Sequence, residues 1–174
     1  MGKSKIIGRQ IKDNTITGDD VNEDTLVLKY FTTHRYTVFD SNAAQFVRFN
    51  AGGSNGGSTN AHHNNRFIAP ADGKIRMVAI RSTGQSSNAL GNTEIAFHKI
   101  SDTDLAFGNP GSPSADVVVN MLALNTTYLA DFSSLSSPHD TSFTAGQVLG
   151  IRINPTQNHG NVDLTVVWEF DWSA

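Results

Sequence analysis

Six histidines in a chain of 174 residues are the natural place to look for chemistry, because imidazole titrates near neutral pH and ligates metal ions. Their spacing offers little. His62 and His63 are adjacent, so in an extended loop their rings point apart and do not reach one ion together. His98 alternates with Ala96 and Ile100, which reads as a hydrogen-bonded strand histidine, while His34, His139 and His159 have no partner at ligand spacing. Ser137, His139 and Asp140 are the residue types of a nucleophile, a base and an orienting acid, yet Pro138 stands among them and the segment reads as a turn. Asp102 and Asp104, in Ser-Asp-Thr-Asp, lack the second carboxylate pair that acid–base work requires and read as a hairpin turn before Leu105.

Glycine-rich motifs fare no better. Residues 52–57 are followed neither by Gly-Lys-Ser/Thr nor by a helix start, so they make no phosphate cradle. Thr83-Gly-Gln-Ser-Ser lacks the glycine two positions after a serine that a nucleophile elbow needs. Asn125-Thr-Thr fits a glycosylation acceptor, but no secretory signal accompanies it. The sequence predicts no catalytic residue, no cofactor and no metal, hence a protein that is not an enzyme.

Recognition is the remaining kind of chemistry. Residues 51–65, AGGSNGGSTNAHHNN, are small and polar, and ordering them costs entropy that a contact surface would offset. His62, His63, Asn64 and Asn65 are the candidate recognition residues there, with a host surface glycan as a possible ligand. Trp168 and Trp172 could form a sugar platform if exposed, which would make the chain a carbohydrate-binding module. Both share a strand face with Val162, Leu164, Val166 and Phe170, and that register assigns them to a core.

The elements that position these residues are strands. From Val27 onward the apolar period is two. Its clearest instance is the C-terminal run, where Val162, Leu164, Val166, Trp168, Phe170 and Trp172 alternate with Asp163, Thr165, Val167, Glu169 and Asp171. Residues 147–154 repeat the pattern through Leu149, Ile151 and Ile153, after a turn at Thr144-Ala-Gly146. Further strands are expected at 34–39, 45–50, 74–82, 93–100, 116–124 and 127–132, rich in β-branched or aromatic residues. Val117, Val118, Val119, Met121 and Leu122 are apolar on both faces of one strand, which is therefore either central or covered by a neighbouring subunit. About eight strands joined by polar loops, with no amphipathic helix between them, predict an all-β fold: a jelly-roll β-sandwich over 27–174.

Composition bounds the partners. Thirteen basic and sixteen acidic residues give a formal charge of −3, which provides no electrostatic case for nucleic acid or an anionic membrane. Cysteine is absent, so packing or assembly must supply what disulfides would. Only Ile6-Ile7 follows Lys3 and Lys5, too little for a signal peptide, and no run approaches membrane-spanning length. A protein made in a cytoplasm is expected.

Residues 1–26 obey a different rule. Ile6, Ile11, Ile16, Val21 and Leu26 recur every five positions. On a helix a step of five turns each side chain by about 140°, and on a strand it alternates faces, so neither element gathers them. Gly8, Asp13-Asn14, Gly18-Asp19-Asp20 and Asp24 place turn formers between the aliphatics, giving one apolar anchor per polar bend. Segments below ~40 residues rarely fold unaided, so this extended arm must dock on a surface. It is basic first (Lys3, Lys5, Arg9, Lys12) and acidic after (Asp13, Asp19, Asp20, Glu23, Asp24).

The run QIKDNTITGDDVNEDTL resembles the Ile-x-Asp-x-x-Ile-Thr-Gly-x-Asp repeats at the N-termini of tailed-phage fibre and head-decoration proteins. Phe67-Ile-Ala-Pro-Ala-Asp-Gly73 and Phe143-Thr-Ala-Gly-Gln-Val-Leu-Gly-Ile-Arg-Ile153 resemble trimeric jelly rolls of the tumour-necrosis-factor and C1q type. These resemblances imply a virion structural protein, made in the bacterial host cytoplasm. Its body would be a homotrimer, and its arm would bind the major capsid protein or another virion protein. With no long shaft between arm and body, capsid decoration (cement) or a head fibre is the expectation. A tail-fibre tip that binds host surface glycan is the alternative.

Overall fold

A computed structural model describes residues 27–39, 44–47, 49, 67–83, 91–100, 112–157 and 159–171; within 27–39 the described side chains are those of Tyr30 and Thr32. Regular structure in these residues is entirely β. In chain order the strands are β1 (Val27–Phe39), β2 (Gln45–Phe46), β3 (Phe67–Ile68), β4 (Asp72–Ser82), β5 (Asn92–Ile100), β6 (Ala115–Asn120), β7 (Thr127–Asp131), β8 (Ser142–Phe143), β9 (Val148–Pro155) and β10 (Gly160–Asp171). They form two antiparallel sheets. The front sheet runs β1–β10–β4–β7 with β8 also on β4, and the back sheet runs β2–β9–β5–β6 with β3 also on β9.

The predicted alternation of β10 is realised residue by residue. Val162, Leu164, Val166, Trp168 and Phe170 are buried, while Asp163, Thr165, Val167 and Glu169 are half-buried on the outer face. Flanked by β1 and β4, this strand is the backbone of the front sheet. Opposite it, Leu149, Ile151 and Ile153 of β9 and Ile95 and Phe97 of β5 face inward. They meet Ile75, Val78 and Ile80 of β4, and the two inner faces close as one core. Between Val167 and Trp168 the pairing with β4 slips, from Met77 to Ile75, so Arg76 is the extra residue of a bulge.

β2 and β3 lie on the same edge of β9, and β7 and β8 on the same edge of β4. The ten strands of the described residues therefore occupy eight ladder positions, against about eight strands expected. Most connections cross from one sheet to the other, which gathers the described loops at the two ends of the sandwich. The turn at Thr144–Gly146 is present: Gln147 N donates to Thr144 O at 3.1 Å, and Gly146 takes φ 83°, a region open to glycine.

Two expected strands are shorter than the sequence suggests. The strand expected over 116–124 ends at Asn120, because the Leu122 and Ala123 amides both donate to the Tyr128 hydroxyl at 2.8 Å and Asn125 turns the chain with φ 58°. That strand, β6, is an edge, which excludes the central position, one of the two alternatives that its double-sided apolarity allows. The strand expected at 45–50 is two residues long, Gln45–Phe46. Trp172 lies outside the described residues.

Candidate assembly surface

The arm anchors Ile6, Ile11, Ile16, Val21 and Leu26 and the loop residues His62, His63, Asn64 and Asn65 lie outside the described residues, as do Asp102 and Asp104. What the structure describes is the body, whose most organised outward surface is the outer face of the front sheet. Alternation on β10 and the bulge on β4 turn Val167, Thr165, Met77 and Ala79 outward, with Leu129 of β7 57% exposed beside them. Strand pairing aligns these as two rungs, Val167–Met77, which ends on β7 at the exposed Asp131 carboxylate, and Thr165–Ala79–Leu129, so the band is neutral over β10 and β4 and charged at its β7 edge.

Charged rungs frame that neutral band. On one side Glu169 pairs in register with Lys74 and with Lys29, and its carboxylate receives Lys74 Nζ at 3.0 Å and, through the bulge, Arg76 Nε at 3.2 Å. On the other, Asp163 stands in register between Arg35 and Arg81, and Arg81 Nη2 donates to Asn125 Oδ1 at 3.4 Å. The two ion pairs of Glu169 across β10 and β4 stabilise their rung modestly. A neutral centre inside a polar rim is the anatomy of a protein contact surface, in which the rim fixes register more than affinity.

The back sheet presents a different outer face. Arg152 Nη2 donates to Glu94 Oε1 at 2.6 Å, Asn154 Nδ2 donates to Glu94 Oε2 at 3.3 Å, and buried His98 packs edge-on against Phe46 with ring centroids 5.4 Å apart. At its β6 edge Val118 is 57% and Leu122 75% exposed, the two outward residues of the segment whose double-sided apolarity the sequence displays.

The residue types that suggested catalysis do not assemble. The Asp140 carboxylate bonds Lys99 Nζ and accepts from Ser142 N at 3.0 Å, and the Lys99 contact chiefly holds its pKa below the ordinary value. His139 Nδ1 lies 3.7 Å from Asp116 Oδ1 instead. Asp131, at the end of β7, is lowered by the hydroxyl and then the amide of Ser133, which caps a tight turn. Among the described residues no group of three or more metal-ligating side chains converges.

A second constellation has no counterpart in the sequence reading. His159 is wholly buried, its Nε2 2.5 Å from Thr93 Oγ1, and its backbone carbonyl accepts from Ser82 Oγ at 2.5 Å. Burial holds its pKa below the usual 6.5. These partners are 66 and 77 positions away in the chain, so no local spacing could have linked them.

No protein-family model matches the chain, and no curated protein sequence matches it. Its class rests on the architecture: an all-β protein built as a two-sheet sandwich.

Proposed function

We propose that the chain is a non-enzymatic structural protein of a tailed-phage particle, a capsid decoration or head-fibre protein that assembles as a homotrimer and attaches through residues 1–26. The observation that carries the reading is the five-residue ladder Ile6, Ile11, Ile16, Val21, Leu26, which leads directly into β1 of a sandwich with its own closed core. An anchor that is largely desolvated contributes roughly 1.5–3 kcal/mol, before the ordering cost of the arm is subtracted. Three arms on one trimer would make attachment multivalent.

Two features of the body support the reading. Numbered by ladder position, the strand order is first–eighth–third–sixth in front and second–seventh–fourth–fifth behind, the order of a jelly roll. The neutral band framed by charged rungs gives the front sheet a face suited to a second and third copy. Removing residues 1–25 is expected to leave a folded trimer, by light-scattering mass, that no longer binds capsids lacking the protein. A truncated protein that still decorates them contradicts the proposal. Binding to host envelopes that survives truncation and disappears when 51–65 is altered would instead establish the tail-fibre tip.

A further inference from the structure

The end of the sandwich opposite its aromatic core is built on small polar groups that depend on one another. Ser82 closes β4, Thr93 is the second residue of β5 and His159 immediately precedes β10, and all three are buried. Thr93 Oγ1 lies 3.7 Å from Met121 Sδ, to which it donates, and 2.5 Å from His159 Nε2. In either neutral tautomer Nε2 shares one proton with the Thr93 hydroxyl, while Nδ1 is buried and without a hydrogen-bond partner among the described residues, so a second ring proton has no acceptor waiting for it there.

Backbone bonds tie the surrounding connections to this cluster. Met121 N donates to Gly91 O at 3.0 Å, Asn125 N to Ser82 O at 2.8 Å, Thr156 N to Asn92 O at 2.9 Å and Thr83 N to Asn161 O at 2.8 Å. A second ring proton would add a charge and an unpaired N–H to a buried site, and among the described residues no charged side chain is placed to compensate it. Arg81 of β4 bonds Asn125 outside, Glu94 of β5 pairs with Arg152 on the outer back face, and Asp163 of β10 is on the outer front face. β1 meets this end in register at Phe39 opposite Gly160, with Arg35 and Tyr36 pairing further along β10, and 121–126 carry no charged residue.

We propose that this end of the sandwich is an acid-released latch: protonation of His159 expels its ring from the Ser82–Thr93–Met121 site and frees the connections fastened there. The opened state titrates at the ordinary 6.5 and the closed state lower, so opening is unassisted above that value and promoted as pH falls below it.

Amide hydrogen exchange of the full-length chain, corrected for intrinsic rates and compared between about pH 7.5 and about pH 5, tests the latch. The amides of Thr83, Met121, Asn125 and Thr156 are expected to lose protection, by up to about tenfold for each unit by which burial lowers the pKa. Those of Ala69 and Gly146, bonded to Gln147 O and Ala69 O at the far end, are expected to keep theirs. His159→Gln keeps a donor to Thr93 without a titrating group and is expected to abolish the difference; His139→Gln is expected to retain it. Unchanged protection in the wild-type chain, equal loss at both ends, or loss that persists in His159→Gln overturns the proposal. If His159→Gln does not fold, NMR titration of the wild-type His159 ring decides: a midpoint at or above 6.5 overturns the latch.

Discussion

The two ends of the sandwich are held shut by opposite means. At one, Trp168 is fully buried among Phe49, Phe67, Phe97 and Phe143, with centroid separations of 5.8–6.2 Å, and Phe143 in turn meets Phe170 at 5.7 Å. At the other, the buried side chains include Ser82, Thr93 and His159, which are stable there only while mutually bonded and neutral. Area removed from water closes the first end and is indifferent to pH. Satisfied polarity closes the second, and its stability can be withdrawn by one proton.

The largest test of this contrast is Trp168→Ala, expected to cost about 3–5 kcal/mol in denaturant unfolding at any pH near neutral. Trp168→Phe sharpens it. The indole Nε1 has no hydrogen-bond partner among the described residues, so deleting it removes a desolvation penalty and the net loss should be about 1.5 kcal/mol or less. Gly73→Ala attacks the same end through the backbone. A Cβ there would lie 2.2 Å from Glu169 O and 2.8 Å from the Phe143 ring, and the forced shift should cost about 1–3 kcal/mol.

At the polar end, Thr93→Val keeps the shape but leaves His159 Nε2 without its hydrogen-bond partner, for an expected loss of about 1–3 kcal/mol at neutral pH. A loss as small as that of a surface change would break the comparison. Smallest should be Lys99→Ala, which removes an ion pair to a 56% exposed Asp140 carboxylate and should cost about 0–1 kcal/mol. The pH windows also separate. Stability from Asp131 and Asp140, whose folded pKa values are depressed, is present above 3.8 and lost as pH falls through their lowered values. The His159 contribution begins to fall already below 6.5, so the difference in urea unfolding between the wild-type chain and His159→Gln across these pH values reads the polar end.

Legibility followed the physics of each end. The alternation Val162 to Phe170 is long enough to declare its period, and Trp168 was placed in the core by that register alone. The two-residue strands β3 and β8 carry no period to detect, and their existence depends on β9 and β4. The first half of β1, Val27-Leu-Lys-Tyr-Phe-Thr-Thr, mixes both faces and became legible only through its register with β10. Met121, Leu122 and Leu124 continue the apolar run of β6 beyond its end, while the bonds that stop the strand come from Tyr128. His159 looked isolated because hydrogen bonds across the ends of sheets join residues remote in sequence. The recurrence of Ile6, Ile11, Ile16, Val21 and Leu26 is legible from spacing alone, since a five-residue period needs no partner to be seen, whereas the surface that the proposed reading requires has no counterpart in the spacing.

The contrast extends to residues 1–26, whose apolar anchors have, on the proposed reading, no core of their own. Replacing Ile11, Ile16 and Val21 together with Asp tests this most directly, by following thermal melting of the body and binding to capsids that lack the protein. Lost binding with an unchanged melting temperature is the predicted result. An earlier melt would make the arm part of its own subunit's core, and unimpaired binding would contradict the arm as the means of attachment.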